Sequence, residues 1–276
     1  MSNETILILG GSGKTGRRVA ERLTAAGKDV RLASRSTVPA FDWTDPSGWA
    51  PAFEGVDAAY VSYQPDLAVP GAVEAIGALS RLALKKGVRH LVLLSGRGED
   101  EALAAEEALK QSGIGYTIIR ASWFFQNFSE AFLLEGIQAG ELVLPVGNVR
   151  EPFIDADDIA DVAVAALTGP GHAGKTYEVT GSQLMTFGEA VAEIARQTGR
   201  DIHFTTVDIG DYVAMLEEAQ IPADYIWLVR YLFTTVLDGR NESVTDDVLQ
   251  VLGRPPRGFA DFAREAAATG VWEGLK

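Results

Sequence analysis

Two spacings of apolar residues alternate along the first two thirds of the chain. Short, largely apolar runs occur at residues 6–9, 58–62, 90–95 and 116–120, and the more mixed stretches 29–34 and 175–180 also read as strands. Such runs predict strands covered on both faces. Between them apolar positions fall three and four apart, as in Val19, Ala20 and Leu23 or Val73, Ile76, Leu79 and Ala83, which predicts helices with one buried stripe. Gly27 and Gly87 suit the ends of those two helices, and Pro70 the start of the second. A short third strand is expected at 41–43, a short polar helix at 46–53 and an acidic helix at 99–111. Read in order this is βαβαβ twice, an α/β chain with a doubly wound parallel sheet.

After residue 121 the pattern changes. Short strands are expected at 142–145, 153–155 and 202–207, and helices at 212–220 and 223–237. Asp157 fits an N-cap and Asp158 a first turn ahead of Ile159, Val162 and Ala166. Thr186 and Glu189 have the spacing of a capping box before Phe187, Ala190, Val191 and Ile194. Pro255-Pro256 precedes a last amphipathic helix through Phe259, Phe262, Ala263 and Ala266. The expected division is a sheet body over 1–180, with 125–150 contributing to a cap, and a small, mostly helical C-terminal subdomain over 181–276 that binds substrate.

Composition removes several kinds of chemistry. The chain has 276 residues and is 47% hydrophobic, enough for a large core, and it has no cysteine. Thiol catalysis, disulfides and thiolate metal sites are therefore excluded. The three histidines, His90, His172 and His203, show no ligand spacing. A net charge of −14 suits neither nucleic acid nor an anionic membrane. Residues 1–5 lack the basic and apolar parts of a signal peptide, and no run reaches membrane-span length. The expectation is a cytoplasmic protein, monomeric or homodimeric, that binds a small molecule.

The candidate chemistry begins where the first strand breaks into Gly10-Gly11-Ser12-Gly13-Lys14-Thr15-Gly16. A nucleotide-hydrolase loop would need glycine at position 8, which is Ile8 inside the strand. Gly10, Gly13 and Gly16 instead resemble the dinucleotide fingerprint: one glycine for the turn, one for close approach of the pyrophosphate, one for helix–strand packing. The second strand closes on Arg35 and no acid, which with Lys14 favours NADP(H) over NAD(H); an ordinary solvated arginine is the alternative. Trp43 and Asp42 can flank an adenine. Ser62, Tyr63 and Gln64 end the next strand of the sheet and Ser95 the one after, at the edge where such sheets bind ligands. Trp123-Phe124-Phe125 and Phe128 are either core or one wall of a substrate cleft. Trp227 and Tyr231, four apart on one face, are either core or a lid. Asp155, Asp157, Asp158 and Asp161 are assigned to the helix start rather than to a metal.

These residues resemble the NmrA-like branch of the short-chain dehydrogenase superfamily, and bacterial members similar to the clavine dehydrogenases in particular. The matching pieces are Gly10 to Gly16, Gly55-Val56-Asp57, residues 87–95, and residues 116–120 followed by Trp123-Phe124-x-x-Asn127-Phe128. Pro152 to Asp155 with Asp158 to Ala160, and Gly253 to Pro256 with Phe259, extend the match over nearly the whole chain. The resemblance implies a Rossmann sheet that binds NAD(P)H, with the cofactor on Gly10, Ser12, Gly13, Lys14, Thr15, Arg35, Asp42 and the strand ends. It makes Tyr63, Ser95 and Trp123 nicotinamide-side candidates; the expected substrate-binding residues are Tyr63, Gln64, Trp123, Phe124, Asn127 and Tyr231. Members reduce quinones, imines, enones or carbonyls, or sense NADP(H) without chemistry. One departure stands out. The Tyr-x-x-x-Lys pair of alcohol dehydrogenases is missing, since Glu106, Arg81, Leu82 and Gly171 stand four before Lys110, Lys85, Lys86 and Lys175. The expected activity is reduction of a small cyclic or aromatic electrophile, with a regulator or a non-redox isomerase or cyclase as alternatives. No proton donor is assigned.

Overall fold

The six stretches read as strands form one parallel sheet. The structure, a computed structural model, describes residues 4–274. In chain order its elements are β1 (Thr5–Leu9), α1 (Lys14–Ala25), β2 (Asp29–Ala33), β3 (Ala58–Val61), α2 (Ala72–Lys85), β4 (His90–Gly96), α3 (Asp100–Lys110), β5 (Gly115–Ala121), α4 (Asn127–Glu130), α5 (Leu134–Ala139), β6 (Glu141–Leu144), α6 (Ala156–Thr168), β7 (Lys175–Val179), α7 (Phe187–Thr198), β8 (His203–Thr206), α8 (Ile209–Glu218), α9 (Ala223–Tyr231), α10 (Asp247–Leu252) and α11 (Phe259–Ala268).

The chain divides into two compact units: residues 1–121, 156–179 and 247–254 form the first, and 122–155, 180–246 and 255–276 the second. The chain thus crosses between the units several times. In the first unit the strand order is β2-β1-β3-β4-β5-β7, all parallel. Side chains alternate across the sheet. Leu7, Leu9, Leu91 and Leu93 meet Ile76 and Leu79 of α2 and Leu109 of α3 on one face. Ile6, Ile8 and Tyr60 point to the other, where Tyr60 reaches α1. Burial of each such side chain stabilises by roughly 1.5–3 kcal/mol, so both faces contribute. The sheet is a doubly wound Rossmann sheet, and β1 is its switch point, with β2 on one side and β3 on the other.

The aspartates at α6 serve structure. Arg22 holds Asp157 at 2.6 Å and Asp161 at 2.5 Å, joining α1 to α6. Arg254 holds Asp158 at 2.7 Å and also reaches Asp161.

The second unit packs Phe125, Phe128, Phe153, Phe187 and Phe259 into one core with Trp272. Its sheet is β6 beside β8. The capping box forms as expected: Glu189 N donates to Thr186 Oγ1 at 3.0 Å, and Thr186 N to Glu189 Oε2 at 2.8 Å. Here Asp155 accepts from Gln126 at 2.7 Å and pairs with Arg257 at 3.1 Å. Among the described residues no helix is long and apolar enough to cross a membrane.

Several local expectations are corrected. Residues 41–43 are not a strand. The Asp42 carboxylate accepts Thr44 N at 2.9 Å and Thr44 Oγ1 at 2.8 Å, and the Asp42 carbonyl accepts the Trp49 indole N–H at 2.6 Å and Asp45 N at 3.2 Å, so the segment folds into a local turn. The polar stretch 46–53 forms two 3₁₀ turns, not one helix. Pro70 lies outside α2, which starts after left-handed Gly71 (φ +89°). Asp157 sits within the first turn of α6 and does not cap it. Residues 153–155 contribute only a bridge, Ile154 to Phe124. The helix expected over 223–237 is α-helical to Tyr231 and ends in a π-turn, Leu232–Val236.

Candidate functional site

The site in the first unit starts where β1 runs out of side chains. Gly10 turns the chain with φ +77°, and its carbonyl accepts Gly13 N at 2.8 Å. A methyl group on Gly16 would stand 2.2 Å from the Gly10 carbonyl oxygen, and one on Gly13 would stand 3.1 Å from it. Only glycine lets α1 start this close to the strand. Gly13 caps α1 without a side-chain hydrogen bond, and the first turn holds no acid. Its N–H groups therefore face a space suited to phosphate. This cradle, which a Cβ would fill, fits a dinucleotide pyrophosphate.

β3 closes the cradle from the side. The space above Gly10 is bounded by Ser62, 3.3 Å from where a Cβ would lie, and that above Gly13 by Gln64 Nε2 at 3.8 Å. Gln64, expected toward substrate, thus stands over the glycine turn. Beneath, the buried Tyr60 phenol donates to Thr15 Oγ1 at 2.9 Å. Burial pushes the Tyr60 hydroxyl well up, so it stays a donor and the Thr15 proton is left for another acceptor. Ser12 is exposed and Lys14 half-buried.

Arg35 is exposed on the loop after β2, and Asp42 feels its charge. The Thr44 N–H and hydroxyl hold the Asp42 carboxyl below its usual range, with Arg35 adding to them. Trp43 packs edge-on to Phe41 at 5.0 Å and lies 4.7 Å from Tyr63. Burial raises the Tyr63 phenol, with Glu74 adding to it, so it too stays protonated. The structure thus brings Gly10, Gly13, Ser62 and Gln64 into one group, with Arg35 near Asp42 and Trp43 against Tyr63.

Ser95 differs from expectation in its bonding. It is buried and donates its proton to Glu106 Oε1 at 2.8 Å. Glu106 is fully buried and clamped by Arg120 through bonds of 2.9 and 2.7 Å, with Lys110 at 3.8 Å. Arg120 also reaches Glu178 at 3.4 Å, which Arg97 holds at 3.0 Å. Toward any further group the Ser95 hydroxyl can only accept.

In the second unit Trp123 is half-buried, its ring 5.4 Å from Phe187 and 5.5 Å from Phe233. Phe124 and Asn127 are also half-buried, whereas Phe125 and Phe128 are core. Tyr231 is buried and stacked flat at 5.5 Å on Trp227, which is 41% exposed. Sequence reasoning passed over Tyr60, Glu106 as a partner of Ser95 and Arg120, and the acids Asp66 and Glu99.

Comparison with known proteins agrees with this geometry. The family described as NAD(P)H-binding matches residues 10–170. The NAD(P)H azoreductase of Xenophilus azovorans is 30% identical, over 95% of this chain and 98% of that one. The agroclavine dehydrogenase of Claviceps fusiformis is 29% identical, over 95% and 96%. Among solved structures, the Citrobacter sp. triphenylmethane reductase complexed with NADP(H) superposes with a TM-score of 0.80 at 20% identity, covering 95% of this chain and 99% of that one. NmrA, a negative transcriptional regulator, in complex with NADP gives 0.72 at 16% identity, covering 98% and 97%. The chain belongs to the NAD(P)H-binding family, shares the fold of NmrA, and is an NAD(P)H-dependent oxidoreductase.

Proposed function

We propose that the protein is a cytoplasmic, NADPH-dependent reductase of a small cyclic or aromatic electrophile, an imine or iminium, an enone or a quinone. It works without a Tyr-x-x-x-Lys pair. The observation that carries this reading is Glu106. It occupies the place four residues before Lys110, and its carboxylate is committed to Ser95 and Arg120. A group so held cannot act as the tyrosine does in an alcohol dehydrogenase. Flat acceptors that are cationic or strongly electron-poor need less acid help. The similarity to an azoreductase supports a flat acceptor.

The bound NADPH would supply the hydride. The glycine turn with Ser12, Lys14 and Thr15 holds the pyrophosphate. Arg35 takes the 2′-phosphate and sets the preference for NADP(H). Asp42 and Trp43 serve the adenosine end; Ser62, Tyr63 and Ser95 serve the nicotinamide side. Trp123, Phe124, Asn127 and Tyr231, with Gln64, bind substrate and exclude water.

NADPH consumption against a panel of quinones, cyclic iminium ions, enones and azo dyes tests the activity. Turnover of at least one class is expected, with none of secondary alcohols in the presence of NADP. Background rates across the whole panel would overturn the reading. Calorimetry tests the cofactor preference: Arg35→Asp is expected to weaken NADPH by about tenfold or more relative to NADH, as a phosphate contact becomes a repulsion. Equal loss for both would remove Arg35 from the phosphate site.

A further inference from the structure

Two acids at the carboxyl edge of the sheet have no part in the reading so far. Asp66 follows β3 and Glu99 follows β4. These strands are neighbours, with Val61 opposite Leu93, so the two segments leave the same edge side by side. Glu99 folds back over the end of its own strand: a methyl group on Gly96 would stand 1.9 Å from Glu99 Oε1. Oε2 of Glu99 is shut off from water and meets no N–H or hydroxyl donor among the described residues. What the Glu99 carboxyl bonds to is the carboxyl of Asp66. Asp66 Oδ1 also accepts Ala68 N at 2.8 Å.

Ionised carboxylates are acceptors only, so two of them can share a hydrogen bond only when one holds a proton. The surroundings favour that state. Burial pushes Glu99 well above the usual carboxylate range, and the charges of Asp66, Glu101 and Glu106 add to the rise. Burial also raises Asp66. Both pushes favour a single proton shared by the pair, as in close carboxyl pairs. By exposed area both residues are only part-buried, so the proton can be replaced from water.

We infer that Asp66 and Glu99 form a one-proton acid that protonates the acceptor during reduction, the proton donor that the sequence leaves unassigned. The role rests on the reductase reading above. In a quinone, enone or azo acceptor, hydride from reduced nicotinamide forms a bond to one atom of the conjugated system. The displaced π electrons move to a terminal oxygen, carbon or nitrogen, which takes the proton of the pair. The acceptor gains two electrons, the nicotinamide is oxidised, and the pair stays doubly negative until it regains a proton from water. An iminium ion needs no such proton, because hydride addition leaves a neutral amine. A pair that merely tied the two segments together would not distinguish these acceptors.

The test compares quinone and cyclic iminium turnover in the wild type, Glu99→Gln and Asp66→Asn, with infrared spectra of the NADP-bound protein. We expect the quinone-to-iminium ratio to fall by about ten- to a hundredfold in either variant, at the lower end of general acid catalysis. The wild type's loss of quinone turnover on the alkaline side should disappear with it. A protonated-carboxyl band should be present at pH 7 in the wild type and absent in Glu99→Gln. Equal losses with both acceptors, or no such band in the wild type, would overturn the inference. A wild type that reduces neither acceptor would instead sink the reductase reading and the donor role with it. The infrared band, read without substrate, separates that outcome from a pair that holds no proton.

Discussion

At the carboxyl end of β1 the chain makes its shape by leaving side chains out, and at the carboxyl end of β4 by burying charged ones. Gly10, Gly13 and Gly16 let backbone meet backbone. Ser95, Glu106 and Arg120 form an ion-paired cluster, and Glu99 with Asp66 sets one acid against another. The first region should be intolerant of one methyl group and indifferent to pH. The second should respond to any change of charge. Within the second region Glu106 faces an arginine and Glu99 another acid, and burial with the charges around it pushes Glu99 well above the usual carboxylate range.

The largest expected effect lies in the charged region. Arg120→Met would strand the buried Glu106 carboxylate and cost about 3 kcal/mol in urea unfolding. Adding Glu106→Gln to that variant should recover part of the loss, and an additive double variant would break the account of the cluster. Gly16→Ala should cost about 1–3 kcal/mol by overpacking, although alanine normally favours a helix. It should also abolish calorimetric NADPH binding, and a variant that binds normally would mean the cradle is looser than drawn.

A smaller effect carries the pH contrast. Asp66 and Glu99 are both raised on folding, so above the ordinary carboxylate value of about 4.3 the folded chain holds more protons than the unfolded one. Stability therefore falls as pH rises from there through the raised folded values. Glu99→Gln should remove most of that slope and gain on the wild type by on the order of 1–2 kcal/mol at the alkaline end. Parallel stability–pH curves would remove the shared proton. Least of all, Tyr60→Phe should cost about 1 kcal/mol, independent of pH, by taking one hydrogen bond from Thr15; a pH-dependent loss would show that the glycine region titrates after all.

What sequence reasoning recovered was local. The six strands, the glycine turn and the capping box each announce themselves within a dozen residues. Expectations failed where a nearby alternative competed. Thr44 bonds to the Asp42 side chain and ends a would-be strand; left-handed Gly71 delays α2 past Pro70. The bonding of Ser95 was hidden because Glu106 comes from the following helix and Arg120 from the next strand. Asp66 and Glu99 were invisible for the same reason: only the parallel pairing of β3 with β4 brings together two acids so far apart in the chain. The division of the aromatic run into core (Phe125, Phe128) and half-buried rings (Trp123, Phe124) follows from a short bridge at Ile154, which has no signature of its own.

The late return of residues 247–254 to the first unit has a consequence for synthesis. Asp247 accepts the backbone N–H of Glu178 at 2.6 Å on the edge strand, and Arg254 neutralises Asp158 and Asp161. A nascent chain lacks both until residues 247–254 have emerged from the ribosome, so the first unit is completed only after segments 122–155 and 180–246 of the second have been made.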